Sequence, residues 1–156
     1  MSAALNVVLV EPEIPPNTGN VARLCAATNS TLNLIEPLGF HLDDTQLKRA
    51  GMDYWQHVRW HRWPSWNAFA STLPAQARVW LIESGAPRLY TEASFTPSDY
   101  LVFGRETAGL PKELLEQYND RWLRIPMFNP EARSLNLSNC VAIVLFEALR
   151  QIGTNA

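Results

Sequence analysis

The feature that most constrains this fold is a regular alternation of short apolar runs with longer segments of helical pattern. Runs rich in β-branched and aromatic residues predict strands, and six of them occur, at residues 6–10, 31–35, 54–63, 78–83, 99–104 and 122–126. The segments between and after them predict helices at residues 17–28, 43–50, 64–73, 111–118 and 137–152. Such alternation predicts an α/β domain with a mainly parallel sheet and helices on both faces.

Three prolines set the start of the first predicted helix. Pro12, Pro15 and Pro16 favour extended or turn geometry, so we expect residues 11–16 to lie outside the helix, which would begin at Asn17 or Thr18. Neither an internal repeat nor a linker interrupts the pattern. The whole chain, residues 1–156, is therefore predicted to form a single domain of ordinary size.

The charge balance limits how the chain can bind a polyanion. The 156 residues include 13 basic and 15 acidic side chains, for a formal net charge of −2. A protein that holds long nucleic acid by charge alone needs a basic excess, so RNA binding here would need a local basic patch or a partner chain. Residues 55–63 form an aromatic-basic cluster; we expect its tryptophans to pack, and RNA contact from at most Arg59, His61 or Arg62.

Several sequence features indicate the compartment. The N-terminal residues lack a secretory signal, and no apolar run reaches membrane-spanning length. Cys25 and Cys140 lie in apolar segments and are typical of buried free thiols in a reducing compartment. We therefore expect a cytoplasmic protein without a membrane partner. The three histidines have no partners at metal-ligand spacing, so we expect no metal site.

Candidate binding residues follow three of the predicted strands. Because ligands of parallel sheets bind beyond the carboxyl ends of strands, the loops at residues 17–23, 104–111 and 125–139 are candidate binding sites. Each loop alone has a simpler explanation: Asn17 could cap a helix, Arg23 could be a surface charge, and the second loop could be a plain turn. Glu106, however, directly follows a strand and would face the crevice, and the third loop holds more capping residues than one helix needs.

Motifs of several other enzyme classes are missing from the sequence. No G-x-G-x-x-G follows the first strand, and neither a G-x-x-x-x-G-K-[ST] phosphate loop nor a G-x-S-x-G nucleophile motif occurs. Glu147, inside the apolar pattern of the last helix, is open to two interpretations. It could be a surface break in the helix or a partly buried, paired carboxylate.

In this order, the three loops resemble the signature motifs of the SPOUT (trefoil-knot) RNA methyltransferases. N-T-G-N-V-A-R follows the first strand, F-G-R-E-T-A-G-L-P the fifth, and I-P-M-x(6)-S-L-N-L-S-N precedes the last helix. The likeness covers essentially the whole chain. The short chain resembles the branch that 2'-O-methylates the wobble nucleotide, cytidine or uridine 34, of leucine tRNAs. Arg105 is a local difference, because relatives often carry a smaller residue or proline there.

This resemblance implies a set of properties that the sequence pattern alone does not. They are a C-terminal trefoil knot, S-adenosyl-L-methionine (SAM) as cofactor, the tRNA anticodon loop as substrate, no need for a metal, and a homodimer that completes the site. The resemblance assigns catalysis to Arg23, with Asn17, Glu106, Ser134 and Asn136 in supporting places. The implied SAM pocket, built largely of backbone groups, comprises Leu81, Gly104, Ile125, Ser134, Leu135 and Asn136.

The chemistry of Arg23 follows from the implied reaction. A ribose 2'-hydroxyl is a poor nucleophile until its proton is taken or polarised, and arginine stays charged in proteins. We therefore expect Arg23 to act through the adjacent phosphate and hydroxyl rather than as a base. Two alternatives stay open: a non-catalytic RNA- or nucleotide-binding protein of the same fold, and a 2'-O-methyltransferase acting at another RNA site. A flavodoxin-like or Rossmann-like enzyme fits the composition but not the motifs.

Overall fold

The computed structural model describes residues 5–43, 45–132 and 134–153, and within these the chain forms six strands and five α-helices. The strands are β1 (Asn6–Val10), β2 (Thr31–Ile35), β3 (Trp60–Trp63), β4 (Val79–Ile82), β5 (Tyr100–Phe103) and β6 (Trp122–Leu123). The helices are α1 (Pro15–Thr28), α2 (Thr45–Gly51), α3 (Trp66–Ala70), α4 (Lys112–Gln117) and α5 (Leu137–Ile152). All strand pairs are parallel, in the order β3-β2-β1-β5-β4-β6. The predicted α/β class with a parallel sheet is confirmed.

Both faces of the sheet are covered, because alternate side chains of a strand point to opposite sides. Val7 and Leu9 of β1 belong to the larger core, which α1 and α5 close. Val8 and Val10 belong to a smaller core on the other face, together with Phe69 of α3. The prediction of helices on both faces is therefore confirmed. With its two faces buried, the sheet leaves its carboxyl edge as the place for a ligand.

Helix α1 begins two residues before the predicted position, so the prediction that residues 15–16 lie outside the helix is wrong. Pro15 and Pro16 occupy the first helical positions, where a missing N–H costs no hydrogen bond. The N-cap residue, Ile14, has no side-chain cap of its own. Its N–H donates instead to the carboxylate of Glu106, at 3.1 Å. The acceptor that fixes this helix start therefore comes from a loop far away in sequence.

The predicted strand at residues 54–63 is also partly wrong. Only its last four residues form β3, and the preceding Met52–His57 form a 3₁₀ segment that continues from α2. Trp55 is buried and packs edge-on against Trp60, with the ring centroids 4.4 Å apart. Trp63 packs in the same manner against Phe69, at 5.6 Å. The expectation that these tryptophans pack is confirmed, and this packing replaces strand pairing for the first half of the segment.

The predicted helix at residues 64–73 is too long, because Ser65 caps α3 and only Trp66–Ala70 are helical. The other boundary errors are small, and α5 has none. β6 ends at Leu123 rather than at residue 126, since Arg124 forms only an isolated bridge with Leu89. Helix α5 has the predicted bounds because both of its ends carry local signals. The Asn136 side chain accepts a hydrogen bond from the Ser138 N–H at 2.9 Å, and Gly153 ends the helix with φ at 99°.

Further expectations concern single residues. Cys25 is buried, Cys140 is partly buried, and both are free thiols, as predicted. Glu147 is a paired carboxylate: hydrogen bonds from Arg150 and Gln151 hold its pKa below the ordinary value. None of the described helices is long and apolar enough to cross a membrane. Two parts of the predicted segments, Asp44 and Arg133, lie outside the described residues, and the trefoil knot stays a prediction.

Candidate functional site

A cavity of about 490 Å³ lies beyond the carboxyl ends of β1, β5 and β4. It is the expected place for a ligand of a parallel sheet, and its size is within the range of ligand pockets. All three motif loops contribute to its lining. The lining comprises Ile14, Asn17, Ile82, Glu83, Ser84, Phe103, Gly104, Arg105, Glu106, Thr107, Ala108, Gly109, Ile125, Met127, Ser134, Leu135, Asn136, Leu137 and Cys140.

Glu106 connects the second loop to the start of α1. One carboxylate oxygen accepts the Glu13 N–H at 2.8 Å, and the other accepts the Ile14 N–H at 3.1 Å and the Asn17 side-chain amide at 3.1 Å. Backbone N–H groups at a helix start have no partner within the helix, and a carboxylate there is favoured by the helix dipole. Glu106 thus caps α1 from a distance, with both oxygens engaged.

Asn17 carries the connection on to the third loop. It is 5% exposed, and its side-chain oxygen accepts a hydrogen bond from the Asn136 amide at 2.9 Å. Asn136 in turn caps α5 through Ser138. The interpretation of Asn17 as a simple helix cap is therefore wrong, because Asn17 lies inside α1 and joins two other loops. Glu106, Asn17 and Asn136 form one chain of hydrogen bonds across all three segments.

A second contact between the first two loops was missed in the sequence. The Glu13 carboxylate accepts hydrogen bonds from both the N–H and the hydroxyl of Thr107, at 3.0 and 2.9 Å. Since the Glu13 N–H donates to Glu106, the two loops hold each other reciprocally. Neither Glu13 nor Thr107 has a local signal for this role. Their pairing depends on the adjacency of β1 and β5, which only the fold reveals.

Two glycines of the second loop are required by its geometry. A Cβ on Gly104 would lie 2.3 Å from the Gly109 carbonyl carbon and 2.4 Å from the Leu110 nitrogen. Gly109 has φ at 68°, a conformation that side chains disfavour. The backbone of Arg105 and Gly109 exchanges two hydrogen bonds, which closes this turn on itself. The loop is therefore a compact hairpin whose backbone lines the cavity.

The remaining predicted pocket residues divide into two groups. Ile125, Ser134 and Leu135 line the cavity together with Gly104 and Asn136. Leu81 does not line it: its side chain is fully buried in the smaller core, and the next residues of that strand end reach the cavity instead. A contact from Leu81 could come only from its backbone, as the resemblance implies.

Arg23 does not line the cavity of its own chain. It is an exposed residue of α1, six positions after Asn17. That separation corresponds to about 9 Å along the helix axis and about 120° around it. The structure thus brings Asn17 and Glu106 together but leaves Arg23 on another face of the helix. The expectation that Arg23 and Asn17 serve one site is not met within a single chain.

Glu83 is a cavity residue that sequence reasoning missed. It directly follows β4 and lines the cavity from the side opposite the first loop. Burial raises the pKa of its carboxyl group, and a hydrogen bond from the Leu110 backbone N–H partly offsets this rise. The available signal was its position at the end of an apolar strand, the same signal that identified Glu106.

Comparisons of this chain with family profiles, with known proteins and with solved structures all indicate the same family. The profile of the SpoU rRNA Methylase family matches residues 4–146. A tRNA (cytidine(34)-2'-O)-methyltransferase of Burkholderia cenocepacia (strain HI2424) is 52% identical over 150 residues, covering 95% of this chain and 96% of that protein. A chain of the solved structure "Structural insights into the 2-OH methylation of C/U34 on tRNA" superposes with a TM-score of 0.91 at 47% identity, covering 96% of both chains.

A more distant structure shows the fold alone. The AdoMet-bound rRNA methyltransferase of Sinorhizobium meliloti has a TM-score of 0.85 at 24% identity, and the match covers 99% of this chain and 59% of that one. Among the residues that the structure describes, no group of three or more His, Cys, Asp or Glu side chains could hold a metal ion.

Proposed function

Since the chain belongs to the SpoU methylase family, we propose that it is a SAM-dependent methyltransferase that modifies the ribose 2'-hydroxyl of nucleotide 34, a cytidine or uridine, in tRNA. Leucine tRNAs are the substrates that the motif resemblance implies. The observation that supports this most directly is the joining of the three motif loops around one cavity by Glu106, Asn17 and Asn136. The anticodon loop is the part of tRNA that contains this nucleotide.

The cavity has the chemistry that SAM needs. Ile125, Leu135 and Met127 offer apolar surface for an adenine ring, and Ser134 and Asn136 offer polar groups beside it. The bound cofactor supplies an electrophilic methyl group, so the protein has to align that group with the ribose oxygen. The hydrogen-bonded loops favour such alignment because they hold the lining in one arrangement before any ligand binds.

The ribose hydroxyl must lose its proton as its oxygen forms a bond to the methyl carbon. We infer that Arg23 assists this loss by binding the neighbouring phosphate and polarising the hydroxyl, whose proton then passes to solvent. Arg23 is exposed and remote from the cavity of its own chain, so the partner subunit of a two-fold homodimer would supply it. Phe146 of α5, 52% exposed, is an apolar side chain that such a dimer could cover. We propose that this enzyme is located in the cytoplasm.

RNA binding by a chain with net charge −2 needs a local basic surface. The aromatic-basic segment supplies one candidate, because Arg59, His61 and Arg62 are all exposed at or beside β3, which is an edge strand. Arg62 also pairs with Glu36. We propose these three side chains as contacts to the tRNA backbone, supplemented by the second subunit.

The direct test is transfer of label from methyl-labelled SAM to total tRNA of a strain that lacks this protein, followed by mapping of the modified nucleotide. We expect label on the 2'-oxygen of nucleotide 34 in leucine tRNAs. Label on a base, at another position or on protein would contradict the proposal. Binding of SAM without any transfer would favour the non-catalytic alternative.

The role of Arg23 has a separate test in mixed dimers. We expect Arg23→Ala and Gly104→Val homodimers to be inactive, the first lacking the guanidinium and the second the cofactor pocket. A heterodimer with one substitution in each subunit, purified by two different tags, would have one intact site, formed by the pocket of the Arg23→Ala subunit and Arg23 of the Gly104→Val subunit. We therefore expect about half of the wild-type activity. An inactive heterodimer would show that Arg23 does not act across the interface.

Arg23→Lys should have a kcat about tenfold below that of wild type with unchanged SAM affinity, since the single ammonium of lysine cannot replace the paired donors of a guanidinium.

A further inference from the structure

Glu83 is a carboxylate of the cavity that takes no part in the Glu106–Asn17–Asn136 chain of hydrogen bonds or in the proposed methyl transfer. It lies at the carboxyl end of β4, facing the hairpin of the second loop. A Cβ on Gly109 would be 3.4 Å from one Glu83 oxygen, so the carboxylate lies against glycine backbone. The Leu110 N–H donates one hydrogen bond to it. Burial raises its pKa, because the carboxylate loses hydration that the Leu110 hydrogen bond replaces only in part.

The other charged groups of the cavity, Arg105 and Glu106, already have their charges engaged by hydrogen bonds or by a nearby opposite charge. Both oxygens of Glu106 accept hydrogen bonds, from Glu13 on one side and from Ile14 and Asn17 on the other. The Arg105 guanidinium donates to the Gly109 carbonyl oxygen at 3.2 Å and lies 3.9 Å from the Glu11 carboxylate. A carboxylate can accept about four hydrogen bonds, so Glu83 has acceptor capacity that it can offer to a ligand.

We propose that the Glu83 carboxylate accepts hydrogen bonds from the ribose 2'- and 3'-hydroxyls of the cofactor. This inference rests on the proposed function, because it assumes that SAM occupies the cavity. The two hydroxyls of a ribose are adjacent donors that can match the two oxygens of one carboxylate. An acidic side chain near a strand end recognises ribose in the same way in dinucleotide-binding sheets. Hydrogen bonds to a charged acceptor also offset the burial of Glu83.

Two arguments favour the sugar over the sulfonium of the cofactor. First, the positive charge on the sulfonium is dispersed during methyl transfer, so a carboxylate beside it would stabilise the reactant more than the transition state. Second, β5 separates β4 from β1, which sets the end of β4 about 10 Å from the end of β1. Glu83 is therefore remote from the Asn17 side of the cavity, where α1 begins.

Calorimetric binding of S-adenosylhomocysteine and its 2'-deoxy and 3'-deoxy analogues tests this assignment. We expect wild-type protein to bind each deoxy analogue about tenfold more weakly than the parent compound. Glu83→Gln should weaken binding of the parent by about the same factor and remove most of the difference between parent and analogues. Glu116→Gln, an exposed glutamate of α4, is the matched control and should bind like wild type.

Each other outcome has a distinct meaning. If the affinity lost through Glu83→Gln and the affinity lost through removal of a hydroxyl were fully additive, the proposed contact between Glu83 and the ribose would be wrong. A Glu83→Gln effect on SAM but not on S-adenosylhomocysteine would assign Glu83 to the sulfonium instead. Equal affinity of the wild-type protein for the parent compound and both deoxy analogues would refute the proposal. This result needs no variant, so it holds even if Glu83→Gln fails to fold. Failure of wild type to bind SAM and S-adenosylhomocysteine at all would contradict the proposed function itself.

Discussion

Replacement of Glu106 by glutamine should destabilise the whole domain, not only a ligand site. The carboxylate accepts three hydrogen bonds, from the Glu13 N–H, the Ile14 N–H and the Asn17 amide. Glutamine has one acceptor oxygen. That oxygen can still accept from Ile14 and Asn17, but these two hydrogen bonds become weaker because the acceptor is no longer charged. Its NH₂ group would then face the Glu13 N–H, which loses its partner.

The magnitude follows from typical hydrogen-bond values. Bonds to a charged acceptor contribute about 1.5–3 kcal/mol each, and neutral bonds about 0.5–1.5 kcal/mol. Two weakened bonds and one lost bond, reduced for the partial exposure of the loop, give about 3 kcal/mol for Glu106→Gln. In a domain of this size, 1 kcal/mol shifts Tm by about 2–4 °C, so we expect a fall of about 6–12 °C.

Thermal unfolding followed by circular dichroism measures this shift directly. Glu116→Gln makes the same chemical change at an exposed position of α4 and should leave Tm within about 2 °C of wild type. An equally small shift for Glu106→Gln would refute the reasoning, because the carboxylate could then not be a structural acceptor for the start of α1.

Three further outcomes are expected. Gly104→Ala should weaken SAM binding at least about tenfold in calorimetry, since its Cβ would lie within 2.4 Å of backbone atoms of Gly109 and Leu110 and the hairpin has to move. Burial raises the pKa of Cys25 to about 12, so this thiol should stay protonated at pH 8 and react with a thiol reagent only after unfolding. The raised pKa of Glu83 means that the folded protein holds its proton more tightly than the unfolded chain. The free energy of unfolding should therefore fall as pH rises from the ordinary pKa of a glutamate through this raised value, and Glu83→Gln, which removes that dependence, should raise Tm at pH 7.5.

Elements with local signals at both ends were predictable from the sequence. Helix α5 has its cap in Asn136 and its end in Gly153, and its bounds are as predicted. The first two strands are as predicted too, because β-branched apolar runs bounded by turns leave little choice. Helix α1 shows the opposite case. Its start depends on Glu106, which no window of neighbouring residues could reveal.

The same distinction applies to the site. Asn17, Glu106 and Asn136 could be named as candidates because the motif resemblance marks them. Their mutual hydrogen bonds required the adjacency of β1 and β5. Glu83 had a signal in its position at the end of β4, but Glu13 escaped prediction because a carboxylate in a loop looks the same whether it faces solvent or another loop. Only the packing of the neighbouring hairpin distinguishes the two.

The arrangement of charge implies a division of labour between the two subunits of the proposed dimer. Within one chain, the described network commits Glu106 to helix α1, so this carboxylate has little freedom to accept a proton from the substrate. The guanidinium of Arg105 is held by its own hairpin and by Glu11. The proposed reaction needs a positive group near the substrate phosphate, and among the described residues of the three loops Arg23 is the other cation. Arg23, exposed on another face of α1, meets that requirement only when a second copy brings it to the cavity. A folded monomer would then bind SAM and fail to transfer its methyl group, which separates cofactor binding from catalysis in a single measurement.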